Sequence, residues 1–246
     1  MKILVCISKS PDTTTKISFT ENDTKFNEDG VKYIINPQDE WYALVKGIEL
    51  KEANGGTVTT ITVGTAEDDA IIRKALAIGA DDAVRIDLKA TDASQVATEI
   101  ANYAKSEGYD IILLGSQTID YNGSQIAGML AEHLDLPFIA EAESMELSGN
   151  TAKLDQEIVG GVQSVEVDLP FVVSCTKGMA EQRIPNMRGI MAARTKPLKV
   201  VPASGANEYT SFVKYSLPAP KSAVKLIDPN NMDELVELLH TEAKVI

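Results

Sequence analysis

Cysteine is scarce in this chain: Cys6 and Cys175 are the only two in 246 residues. Each sits in or just after an apolar run, which excludes a disulfide framework and reads as two buried thiols in a reducing compartment. Histidine is equally scarce. His133 and His240 fall on separate predicted helices with no second His or Cys nearby, so neither reads as a metal ligand. Positive charge is in deficit, with 23 Lys and Arg against 36 Asp and Glu and a net charge of -13. That balance argues against nucleic acid and anionic membranes as partners. No apolar run approaches the ~18 residues that crossing a bilayer requires. The opening MKILVCIS is too short and too strand-like for a signal peptide. The expectation is a cytoplasmic protein with no direct membrane insertion. Also missing are a G-x-G-x-x-G after the first strand, a Walker lysine loop and any catalytic triad.

What is present is a 44% hydrophobic chain with strong strand and helix punctuation. Ile3 to Ile7 is an apolar run that predicts a central buried strand. Pro11 interrupts the next segment, and weak strand signals lie at Lys16 to Phe19. INPQDEWYALVKGIELKEANGG predicts a helix with Asn36 as cap, Pro37 in the first turn and Asp39 and Glu40 at the positive dipole end. TVTTITVG is the next strand. TAEDDAIIRKALAIGA repeats the helix design, with Thr65 as cap and Gly79 as the stop. DAVRI, a helix over Asp92 to Ser106, and YDIILLG complete the alternation. It predicts a doubly wound, mostly parallel sheet, an α/β Rossmann-like adenine-nucleotide-binding domain.

After Pro137 the pattern changes to apolar/polar alternation broken by Ser148-Gly149-Asn150 and Gly160-Gly161, which predicts antiparallel hairpin strands running to Cys175. A long loop leads to a helix near Ile190. From Val201 to Asp228 periodicity is lost, and NNMDELVELLHTEAKVI ends the chain as an amphipathic helix with Leu235, Leu238 and Leu239 on one face. The expected division is residues 1–200 as the α/β domain and 201–246 as an extended C-terminal arm and helix.

LLGSQTIDYNGSQIAGMLAEHL is the most informative stretch. A polar turn from Gly115 to Ile126 follows an apolar strand, at the edge of an α/β sheet where ligands bind. A helix beginning near Asn122 to Ser124 would offer unpaired N–H groups and its positive dipole end to an anion. Gly123 allows close approach, and Ser124 and Gln125 add a hydroxyl and an amide. The plainer reading is a capped helix in a polar loop. For Asn36 the plain reading is helix capping, for Cys6 core packing and for Asp120 a solvated acid. Between Lys177 and Lys199 six basic residues accompany a single acid, Glu181. They are Lys177, Arg183, Arg188, Arg194, Lys196 and Lys199, and Met187 lies among them.

GSQTIDYNGSQIAGMLAEHL resembles the nucleotide-binding signature of the β subunit of electron-transfer flavoproteins. VKYIINPQDEWYALVKGIELKE resembles that family's DGVK…NPxDExAxExAxxLKE, and VGTAEDDAIIRKALAIGADDAVRI its A…IRxALAMGADxxxxI. QEIVGGVQSVEVDLPFVVS is similar to its hairpin, and EQRIPNMRGIMAARTKPLKV to its EPRxxxLPxIMKAKKKP. Together these run nearly end to end. The sequence departs from the family at Ser8 and Ser10, where Lys and Val are usual, and at Arg188, where proline is usual.

The resemblance implies an electron carrier rather than an enzyme: a heterodimer with an α subunit that shares one FAD and on which the arm and helix of residues 201–246 pack. It would take electrons from acyl-CoA or other flavin dehydrogenases and pass them to a quinone oxidoreductase, in pathways such as fatty acid oxidation. It implies a structural AMP in this chain, held by Cys6, Asn36, Pro37, Gln38, Asp39, Val63 and the run Gly115, Ser116, Gln117, Thr118, Ile119, Asp120, Tyr121, Asn122, Gly123, Ser124, Gln125 and Ile126. It also implies that Met187 anchors in a hydrophobic pocket of the dehydrogenase, with Arg183, Arg188 and Arg194 as basic neighbours. Two alternatives stand beside it. One is an electron-bifurcating β subunit with a second FAD in place of AMP and NADH as donor. The other is a stand-alone nucleotide-binding regulator of the universal-stress type.

Overall fold

The computed structural model describes residues 1–37, 39–221 and 223–246. Its centre is β1 (Lys2–Cys6), the apolar run at the start of the chain. Successive residues of a strand point to opposite faces, and β1 does so cleanly: Ile3 and Val5 enter one core, Leu4 and Cys6 the other. Both faces are therefore covered. On the first lie α1 (Asp39–Asn54) and α2 (Asp69–Ile78). On the second lie α3 (Ala93–Ala104) and α4 (Ile126–Leu134).

The strands alternating with these helices are β6 (Thr57–Gly64), β7 (Asp82–Asp87) and β8 (Ile111–Gly115). The chain after α4 adds β9 (Phe138–Ser148), β10 (Thr151–Ile158), β11 (Gly161–Asp168), β12 (Phe171–Cys175) and β13 (Leu198–Pro202). These form one nine-stranded sheet in the order β11-β10-β9-β12-β8-β1-β6-β7-β13. From β1 the chain winds outward through β6 and β7 on one side, then returns to place β8 on the other. The reversal of strand order, and hence the crevice, falls between β1 and β8. This is an α/β fold with a large, mostly parallel sheet. Two small antiparallel ribbons flank it: β2 (Lys9–Pro11) with β5 (Tyr33–Ile35), and β3 (Phe19–Thr20) with β4 (Lys25–Phe26). Among the described residues no helix is long and apolar enough to cross a membrane.

Several local expectations change. Pro11 does not end the structure after β1 but sits in β2, a three-residue edge strand where a missing N–H is tolerated. Of the stretch Lys16 to Phe19, only Phe19 is in a strand. Asn36 does not cap α1, which begins at Asp39. A 3-10 turn, Ala66–Asp68, precedes α2, and the Asp68 carboxylate accepts the Thr65 N–H at 2.7 Å. The antiparallel reading holds for β9, β10 and β11, but β12 pairs in parallel with both β8 and β9. Burial on both faces explains the difference: all five residues of β12 are buried, so it belongs to the central sheet. The last helix is short. α6 (Met232–Leu238) runs into a π turn, Leu239–Ala243, and has no buried residue. Leu235 on its apolar stripe is 37% exposed.

Two glycines are fixed by close approach. A Cβ on Gly115, the last residue of β8, would stand 2.7 Å from the Glu40 backbone nitrogen and 3.0 Å from the Asp39 Cβ. A Cβ on Gly189 in α5 (Met187–Ala193) would strike the Ala77 carbonyl of α2. A Cβ on Gly161, at the start of β11, would meet nothing within 4 Å. Gly115→Ala should therefore cost about 1–3 kcal/mol through overpacking, while Gly161→Ala should stay within about 0.5 kcal/mol of the parent. Urea unfolding of the two variants checks this; equal stabilities would contradict the close approach at Gly115.

Candidate functional site

A cavity of about 410 Å³ opens at the carboxyl ends of β1, β6 and β8. That volume lies in the lower part of the range of small-molecule sites. Its apolar wall comes from Ile61, Val63, Val96, Ile100 and Leu114. Its polar wall is the loop between β8 and α4. Of the residues singled out in the sequence, Cys6, Val63, Gly115, Ser116, Gln117, Thr118, Asp120, Tyr121, Gly123, Ser124, Gln125 and Ile126 line it. Asn36, Pro37, Asp39, Ile119 and Asn122 do not, and Gln38 lies outside the described residues.

Asn36 and Asp39 act one layer behind. Asn36 is fully buried; its side-chain amide donates to the Gln117 carbonyl at 3.0 Å, and its side-chain oxygen accepts the Ile119 N–H at 3.0 Å. One amide thus mimics a strand neighbour and fixes the loop in register. Asp39 adds a bond from the Gln117 N–H at 3.2 Å. Burial, opposed by that N–H, raises the Asp39 carboxyl above its ordinary range. The expected cap is a tether because α1 starts later than the periodicity suggested.

Past Asp120 the loop becomes a backbone device. Asn122 and Ser124 take positive φ of 49° and 47°, and Gln125 is right-handed. Alternation of this kind turns successive N–H groups toward one point, the geometry of an anion nest. α4 begins at Ile126, later than the expected Asn122 to Ser124, and Gln125 supplies no side-chain cap. Met129 is the first residue of this helix whose N–H finds a carbonyl, that of Gln125 at 3.2 Å. Among the described residues the N–H groups of Gly123 to Gly128 have no acceptor. Ser124 Oγ donates back to the Ser116 carbonyl at 3.0 Å and closes the loop.

The sequence reading missed Ser8, Lys9, Glu40, Thr91, Asp92, Thr210 and Phe212, all on the cavity wall. Thr91 and Asp92 follow β7, so the rule that pointed to the β8 loop could have found them. Thr210 and Phe212 carry no local signal. Among the described residues Lys9 is the cation of the site, with Nζ 2.7 Å from Asp68 Oδ1. Glu40 is buried, and its two oxygens accept the Ser8 N–H at 2.7 Å and the Ser8 hydroxyl at 2.5 Å. Burial pushes its carboxyl up to about 7, against the pull of the Ser8 bonds. Burial, and behind it the charge of Glu40, likewise pushes the Cys6 thiol far above its ordinary range, so it stays protonated.

The basic segment divides. Arg183 makes a two-pronged pair with Glu52 at 2.8 and 3.0 Å, and its carbonyl accepts the indole N–H of the buried Trp41 at 3.1 Å. Lys196 donates to the Leu76 and Ala80 carbonyls. These two charges hold the segment onto the domain, so Arg183 is tied to Glu52 as well as lying near Met187 in sequence. Arg188 and Arg194 have no ion pair among the described residues. Met187 is the first residue of α5 rather than a loop residue, and is 73% exposed beside Ile184 and Met191.

Glu40 gives the cavity a pH signature. Its folded-state pKa is raised, so between about 4.5 and about 7 the folded protein holds a proton that the unfolded chain releases. Its contribution to stability therefore declines as pH rises through that window. Gln at this position can still accept from the Ser8 N–H and donate to the hydroxyl. Glu40→Gln should flatten this part of the curve. Thermal melts at stepped pH check it, and parallel curves for parent and variant would exclude an ionising Glu40.

A family model described as "Electron transfer flavoprotein domain" matches residues 23–206. The chain is 36% identical over 260 residues to "Electron transfer flavoprotein subunit beta" of Bacillus subtilis, covering all of both chains. It is 36% identical over 251 residues to the protein of the same name from Syntrophomonas wolfei, with 100% of this chain and 98% of the relative covered. It is 30% identical over 205 residues to "Caffeyl-CoA reductase-Etf complex subunit CarD" of Acetobacterium woodii, with 81% of this chain and 78% of that one covered. With a doubly wound sheet, a nest-bearing cavity at its switch point and a match along its whole length to the Bacillus subtilis and Syntrophomonas wolfei β subunits, the chain belongs to the electron transfer flavoprotein family as a β subunit.

Proposed function

We propose that this subunit holds one AMP as a structural ligand and works, in the cytoplasm, as half of a heterodimeric electron carrier. The observation that carries the AMP reading is the run of N–H groups from Gly123 to Gly128 without acceptors among the described residues, set on a left-handed/right-handed alternation at the cavity wall. A phosphate suits such a site. Among the described residues the one cation lining the cavity is Lys9, itself paired with Asp68, while Glu40, Asp92 and Asp120 are acids. A single phosphate met by neutral donors fits this balance better than a polyphosphate. The apolar wall of Ile61, Val63 and Ile100 suits the base.

AMP supplies no redox chemistry; in this reading the electrons travel through an FAD shared with the α subunit. The chain's own contribution is shape and docking. Electrons would arrive from acyl-CoA or other flavin dehydrogenases and leave to a quinone oxidoreductase, as in fatty acid oxidation. Met187, Ile184 and Met191 form an exposed apolar patch beside Arg188. Apolar side chains for a pocket, with guanidinium groups around them, suit an acidic partner surface.

Denaturing the purified complex and quantifying what it releases should yield one AMP per chain and one FAD per heterodimer. Two FAD with no AMP would replace this reading with that of an electron-bifurcating carrier. Met187→Ala should slow reduction by the dehydrogenase about ten- to a hundredfold at limiting carrier, the value of burying such a side chain. Nucleotide content should not change. Wild-type rates at every salt concentration would remove Met187 from the docking surface.

A further inference from the structure

Among the described residues the chain has no helix or strand from residue 203 to 228, yet the first part of this stretch is held closely. Glu99, on α3, is 2% exposed and accepts the N–H groups of Ser204 at 2.7 Å, Ala206 at 2.9 Å and Gly205 at 3.0 Å. Gly205 has φ of +90°, which lets three successive N–H groups converge on one carboxylate. Burial alone would raise the Glu99 carboxyl; the N–H groups outweigh it and hold it below its ordinary range. Asp92 does two jobs. One oxygen caps α3 through the Gln95 N–H at 2.7 Å, and the other accepts the N–H groups of Tyr209 at 2.6 Å and Thr210 at 2.9 Å. Both carboxylates grip mainly backbone, with the Thr210 hydroxyl adding a longer bond to Asp92 at 3.4 Å.

Beyond this double latch the arm meets the nucleotide loop. The Phe212 ring stacks on Tyr121 with centroids 5.6 Å apart, Tyr215 stacks on Phe212 at 5.4 Å, and Phe19 of the β3–β4 ribbon ends the ladder at 4.9 Å. The Tyr215 N–H donates to the Asp23 carbonyl at 2.7 Å. The segment therefore runs from α3 to the ribbon, and Thr210 and Phe212 form part of the cavity wall on the way.

We propose that residues 204–215 are a strap that completes the nucleotide site, and that nucleotide enters or leaves only when the strap detaches from Asp92 and Glu99. This rests on the nucleotide reading above. The strap's two residues on the cavity wall, Thr210 and Phe212, are uncharged; the strap supplies an aromatic wall and excludes water from the side of the cavity that the sheet leaves open.

The test uses the full chain in complex with its partner subunit, loaded with radiolabelled AMP and chased with unlabelled AMP. Glu99→Gln removes an acceptor from the latch, and Phe212→Ala, at a half-exposed ring, removes the seat without disturbing the core. Each should speed release of label by about tenfold, the loss of one hydrogen bond or stacking contact of ordinary worth. Val224→Ala, farther along the arm, should release at the parental rate. Hydrogen exchange at Ser204 to Ala206 should rise in Glu99→Gln. If label binds and both variants release it at the parental rate, the strap is overturned, and most plainly so if exchange at Ser204 to Ala206 has risen. If the parent neither contains AMP nor takes up label, the nucleotide reading itself falls, and the strap with it.

Discussion

The architecture of the site depends on one close approach, that of the first turn of α1 to the last residue of β8. Only a glycine at position 115 permits it, because any Cβ would collide with the backbone of Glu40. The approach brings Asn36 and Asp39 within reach of the following loop, and their three hydrogen bonds give that loop a fixed path. It also carries Glu40 under Ser8, so the same turn organises the end of β1. A buried amide with both its functions satisfied is costly to replace, since removing it would strand a donor and an acceptor. The nest at Asn122 to Gln125 can hold its unusual φ values because the loop before it is already pinned.

Much of this was legible in the residues. The alternation of apolar strands with capped helices gave the sheet, and the polar density of Gly115 to Ile126 pointed to the cavity. Periodicity is a local property, and local properties carried those inferences. The errors have a common physical form. Asn36 has a cap's chemistry and sits before a helix, but its partners lie 81 and 83 residues away. Arg183 and Lys196 look like solvated charges in sequence, yet they reach Glu52 and the carbonyls of α2 across the fold. β12 reads as one more strand of a meander because its burial on both faces depends on α1 and α4, which its own pattern does not name. Phe212 joins the site through a contact with Tyr121, 91 positions earlier by residue number, and no motif spans such a distance.

The acids of the cavity are arranged for support rather than reaction. Glu40 and Asp92 accept from backbone N–H groups and from Ser8, Asp120 accepts the Tyr121 N–H, and behind the wall Asp68 holds Lys9. Cys6 is a buried thiol held in its protonated form. A wall of this kind keeps its shape, which is what the structural ligand proposed above would require of it.

The back of α5 has a consequence for how a partner is met. Gly189 lets the helix lie directly on the Ala77 carbonyl, Arg73 binds the carbonyls of Ala193 and Lys196, and Asn186 caps the first turn through the Gly189 N–H. Met187 and Met191 are thus exposed thioether side chains on a helix whose back is bonded to the domain. A partner that receives them need order only a few thioether torsions and no backbone. Adaptability is confined to the tips of the side chains, so one surface can seat in several differently shaped pockets while keeping the distance between the two proteins constant. In the docking proposed above, such a helix would hold the distance between the two proteins, to which electron tunnelling is sensitive.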